Sequence, residues 1–134
     1  MSTQVRISTQ PSMLKTVILA DAVYCDVVGL GLLLFNRRIG DWTGLPAAAV
    51  AITGALLLVW ALVLFVFGRR SPMPGWLPYL VIGGNVVWVL FTVAALVGGF
   101  LPLTTAGTWA LVIIADIVAI FAVLQYIGLR RETR

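Results

Sequence analysis

Four apolar runs, each long enough to cross a bilayer as a helix, take up most of this chain and decide what it can become. A hydrocarbon core about 30 Å thick is crossed by about 20 helical residues rising about 1.5 Å each. The runs predict helices over residues 14–35, 46–67, 76–97 and 105–128. Strands that cross a membrane show shorter segments of alternating polarity, and none is present. The hydrophobic fraction, 61% against 10% charged residues, agrees, because a soluble chain of 134 residues lacks the polar surface to hide four such helices. The expected fold is all-α: a polytopic membrane protein built as a four-transmembrane-helix bundle, one membrane domain over residues 1–134. The first run is long and no small-residue cleavage signature closes it, so it is expected to stay in the mature chain.

The connections are short. Met1 to Lys15 reads as a polar, mobile tail that Pro11 keeps from being one continuous helix. Residues 36–45 carry a helix stop and a turn before Pro46, which suits the first turn of the next helix. With both termini on one side, Arg6, Lys15, Arg69, Arg70, Arg130, Arg131 and Arg134 share that side, and Arg37 and Arg38 lie on the other. This asymmetry predicts a bacterial inner (plasma) membrane protein with N-terminus and C-terminus cytoplasmic. The net charge of +4 belongs to this bias and to anionic headgroups. With no large basic surface outside the lipid, nucleic acid is not an expected partner. Trp42, Trp76, Tyr79 and Tyr126 fall at span ends, as interfacial anchors do.

The informative residues are those that lipid disfavours: Asp21, Asp26, Asn85, Asp116 and Gln125, with Tyr24, Trp88 and Thr92 beside them in the runs. An aspartate at the membrane centre costs about 2.5–3.5 kcal/mol, so these carboxylates are expected to face protein or a wet cavity. Counting along the helices places Asp26 and Asp116 near the midplane, with Asp21 and Asn85 closer to the cytoplasm. Asn85, Trp88 and Thr92 repeat at i, i+3 and i+7 and form one stripe. Asp116 and Gln125 are nine apart, on nearly opposite faces, which makes Asp116 the stronger site candidate and leaves Gln125 to a headgroup or loop. The resulting expectation is a polar cup open to the cytoplasmic side, lined by Asp26, Asp116, Asn85, Asp21, Trp88, Tyr24 and Thr92. The second span, nearly all leucine, valine and alanine, is expected at its periphery.

Familiar chemistry is missing. The chain has no histidine, so imidazole haem ligation, histidine zinc sites and histidine triads do not arise. There is no glycine-rich phosphate loop, HExxH or CxxC, no cofactor is expected, and an enzymatic role is not the expectation. Cys25, the lone cysteine, reads as a small packing residue. No lysine, arginine or histidine lies deep in a span, so midplane carboxylates must share protons, accept hydrogen bonds or bind a cation from outside.

Three segments carry a resemblance: Ala20-Asp-Ala-Val-Tyr24, Gly84-Asn-Val-Val-Trp-Val-Leu90 and Ala122-Val-Leu-Gln-Tyr-Ile-Gly-Leu-Arg-Arg131. With them the chain resembles small bacterial four-helix integral membrane proteins of unassigned function. It is similar to small multidrug transporters in size and in an acidic residue in the first helix, but theirs is a glutamate. Dual-topology fluoride channels share four helices without the polar and phenylalanine pattern. The leading expectation is binding or transport of a small molecule or cation through the polar cup, with a homodimer where transport occurs. The alternative is a non-catalytic structural subunit that stabilises a membrane protein partner.

Overall fold

In the computed structural model, which describes residues 12–132, the four spans are helices α1 (Met13–Leu34), α3 (Ala47–Gly68), α4 (Leu77–Gly98) and α5 (Thr105–Glu132), with a short α2 (Asn36–Thr43) between the first two. All four long helices have the length and apolarity to cross a membrane, and there is no strand among the described residues. The protein is an all-α, membrane-spanning four-helix bundle. Three spans start and stop within one residue of expectation, while α5 continues to Glu132. Arg130 and Arg131 sit in its last turn, where cations favour the exposed carbonyls. Of the polar tail expected over Met1 to Lys15, residues 1–11 lie outside the described residues, as do Arg6 and Arg134, whereas Met13 to Lys15 already form the first turn of α1, capped by the Ser12 hydroxyl.

The connection at 36–45 differs from the stop-and-turn expected there. Phe35 breaks α1, its N–H still bonded to Gly31 O at 3.0 Å, and Asn36 turns its amide back to Leu33 O at 2.8 Å. The chain then re-enters a helix, which satisfies its backbone polar groups internally at the membrane edge. The turn comes only at Gly44, whose φ of 86° favours glycine and whose missing side chain admits Pro102 O.

Thr104 ties this corner to α5. Its hydroxyl donates to Trp42 O at 2.7 Å and accepts the Gly107 N–H at 3.0 Å, while its own N–H reaches Thr43 O at 2.9 Å. One side chain thus caps a helix and docks a neighbouring connection. Thr104→Val is expected to lower stability by about 1–2 kcal/mol, a helix-cap loss read by unfolding in denaturing detergent.

Glycines set how closely the spans approach. At Gly29 and Gly54 the α1 and α3 backbones meet: a Cβ on Gly29 would lie 2.9 Å from Gly54 O, and one on Gly54 would lie 2.7 Å from Gly29 O. Gly128 brings α5 equally close to Leu14 of α1. Between α3 and α4 large side chains fill the space instead, with the Trp60 ring lying where a Gly84 side chain would be. Packing, rather than any difference in hydrophobicity between helix and lipid, holds such contacts. Leu14, Ile18, Ala22, Leu64, Leu77 and Val81 form the buried apolar core near the end where both described termini lie. At that end the Lys15 ammonium donates to Arg69 O at 3.1 Å, closing the last turn of α3.

Candidate functional site

Three of the long helices each bring one polar side chain to the same level. Asp21 is eight residues from the start of α1, Asn85 eight from the start of α4, and Gln125 seven from the end of α5. At about 1.5 Å per residue, each lies about 10–12 Å in from the end carrying the termini. The three meet in a closed triangle. Asp21 Oδ2 accepts from Asn85 Nδ2 at 2.9 Å and from Gln125 Nε2 at 2.8 Å, and Asn85 Nδ2 also donates to Gln125 Oε1 at 2.9 Å. The Cys25 thiol donates to Asp21 Oδ1 at 3.4 Å, one helical turn along α1. Relative exposures of 1% for Asp21, 5% for Asn85 and 0% for Gln125 make this the most buried polar cluster described.

Burial and satisfaction together define what the triangle can do. A carboxylate accepting several donors is stabilised without a cation, and each amide finds the partner that lipid would deny it. The arrangement fastens α1, α4 and α5 at one depth. α3 contributes no polar vertex, in line with its expected place at the edge of the polar region.

The space expected to open toward the end with the termini is filled. Leu14 and Ile18 on α1, and Leu77 and Val81 on α4, stand between the triangle and that end, each at most 1% exposed. Two surface hollows occur elsewhere. One, of about 240 Å³, is lined by Tyr126, Ile127, Arg130 and Arg131, and the other, of about 300 Å³, by residues 34–38 at the opposite end. Neither touches the triangle.

Of the expected site residues, the structure brings Asp21 and Asn85 together and disperses the rest. Asp26 is half-buried and makes no hydrogen bond among the described residues. Asp116 is exposed on the outward side of α5, likewise without a partner among the described residues. Tyr24 packs its ring against Phe121, centroids 5.6 Å apart. Thr92 is buried but turns its hydroxyl back to Trp88 O at 2.9 Å, and the Trp88 indole Nε1 is buried with no acceptor among the described residues. No group of three or more His, Cys, Asp or Glu that could hold a metal occurs among the described residues.

The reversal of Asp116 and Gln125 is a correction with a simple cause. Nine residues is two and a half turns, so only one of the pair can face inward. Ala115, Val118 and Ala122 are buried on the same side as Gln125, whereas Asp116 shares its side with the exposed Ile113, Ile120 and Val123. Small residues let helices approach, and that stripe turned inward. The signal that could have found Gln125 was its spacing from the alanines. Comparison of the chain with descriptions of protein families, with curated proteins and with solved structures finds no match.

Proposed function

We propose that the chain is a non-catalytic structural subunit that supports a partner within the membrane. The observation that carries this reading is the Asp21–Asn85–Gln125 triangle, closed on itself and packed under apolar side chains. A group that receives a ligand needs an open valence and a path; here the Asp21 carboxylate and the Asn85 and Gln125 amide N–H groups already bond within the cluster, beneath apolar side chains. The end bearing Lys15, Arg69, Arg70, Arg130 and Arg131 is the cytoplasmic one, against Arg37 and Arg38 at the other, and the membrane is a bacterial inner membrane.

Reconstituted in liposomes, the chain is expected to pass no protons or small cations above the leak of empty vesicles under an imposed gradient. Flux that disappears on Asp21→Asn or Asp116→Asn would overturn the subunit reading. One observation favours the second reading, binding or transport of a small ligand or cation. Three residues beyond Asn85, the buried Trp88 Nε1–H lacks an acceptor among the described residues, and an acceptor group on a small ligand would satisfy it.

A further inference from the structure

The outward side of α5 is unlike a lipid-facing surface in one respect: a carboxylate sits in it. Trp109, Ile113, Asp116, Ile120, Val123 and Ile127 follow one another at steps of four and three residues, and all are exposed. That spacing makes one straight seam along a helix, of the kind that receives a second helix side by side. Asp116 lies eleven residues into α5, about 16 Å from its end and so near the middle of a core about 30 Å thick. A carboxylate facing hydrocarbon at that depth is costly, and no hydrogen bond or ion pair among the described residues relieves the cost.

We infer that this seam docks a spanning helix of a different membrane protein, one that carries a lysine or arginine at mid-bilayer. Charge complementarity selects this occupant over a second copy of the chain. The basic side chains on the four long helices are Lys15, Arg130 and Arg131, each in a first or last turn. A second copy in the same orientation would therefore bring only another Asp116 to the contact and no cation to meet it. A partner's cation meets Asp116 with one opposite charge in a medium that strengthens the attraction. The branched Ile113, Ile120 and Val123 flank the contact and exclude water and lipid from it. This inference rests on the subunit reading and adds the chemistry of the partner.

The test uses the full chain, donor-labelled, in phosphatidylcholine vesicles. The probes are two acceptor-labelled synthetic Leu–Ala spanning peptides, identical except for Lys or Leu at the central position, and association is read by energy transfer. The lysine peptide is expected to associate about tenfold more tightly than the leucine peptide, the size of one interhelical polar contact. Asp116→Asn is expected to abolish that preference and Asp26→Asn to keep it. Because Asp116 makes no hydrogen bond among the described residues, Asp116→Asn should retain the wild-type thermal midpoint. Equal association of the two peptides, or a lysine preference that survives Asp116→Asn, overturns the inference. So does self-association of the chain that Asp116→Asn removes, which would mean that a second copy covers the seam. In each of these outcomes the subunit reading still stands, since its own failure is seen separately as gradient-driven flux in the absence of any peptide.

Discussion

Asp21→Ala is expected to destabilise the bundle by about 2–3 kcal/mol, the cost of stranding buried donors that had shared one acceptor. The Asn85 and Gln125 amides lose the Asp21 oxygen that both address, and the Cys25 thiol loses its acceptor. The bond from Asn85 to Gln125 survives, which keeps the loss below the sum of three broken contacts. Replacing all three vertices at once, as Asp21→Leu with Asn85→Leu and Gln125→Leu, should cost less than Asp21→Ala alone. The triple variant leaves only the weakly donating Cys25 thiol without its partner, and lipid offers no competing reason to keep the rest. Equilibrium unfolding in mixed detergent micelles reads both values. Single-site losses that simply add, or an Asp21→Ala variant as stable as wild type, would show that the triangle does not fasten the three helices.

The contrast between Asp21 and Asp116 explains how far the sequence could be read. The spans follow from run length alone, because the bilayer imposes one requirement on every segment that crosses it. Even the level of Asp21 and Asn85 was legible by counting residues, and the two do meet at 2.9 Å. Rotation was not legible in the same way. With apolar residues all round each helix, hydrophobicity does not say which face points inward; the close fit of small residues does. In α5 the deciding feature was the stripe of Ala115, Val118 and Ala122 that carries Gln125 inward. Ranking polar residues by charge favoured Asp116 and missed it.

The α1–α3 contact was half legible. Gly29 and Gly54 are small residues of the kind that permit close approach, but with no GxxxG spacing around either, nothing in the sequence pairs them. Their pairing depends on the corner at 35–46, where α2 and Gly44 fix how far α3 starts from the end of α1. That corner was expected to be a plain turn. A connection of this kind sets register through particular backbone angles, and Phe35 gave no sequence signal of its own.

Gly54→Leu is expected to cost about 3 kcal/mol or more, the high end of overpacking, because the first atom it adds collides with the α1 backbone. A Cβ there would stand 2.7 Å from Gly29 O, 2.8 Å from Leu33 N and 2.9 Å from Leu32 Cβ. Backbone atoms cannot rotate out of the way, so α1 and α3 must separate along the seam. Gly31→Ala and Gly83→Ala supply the control, since a Cβ at either position meets nothing within 4 Å. Both should be neutral or stabilising by up to about 1 kcal/mol, the helix propensity gained over glycine. If the loss at Gly54 reflected a general intolerance of larger residues, the controls would fall with it. A cycle with Asp21→Ala separates the two fastenings of α1. Gly29 lies eight residues beyond Asp21, about 12 Å along the helix, so the Gly54→Ala and Asp21→Ala losses should add to within about 0.5 kcal/mol. Strong coupling between them would instead mean that the glycine contact and the polar triangle are two parts of one cooperative joint. α1 would then swing as a rigid lever between α3 on one flank and the α4–α5 pair on the other.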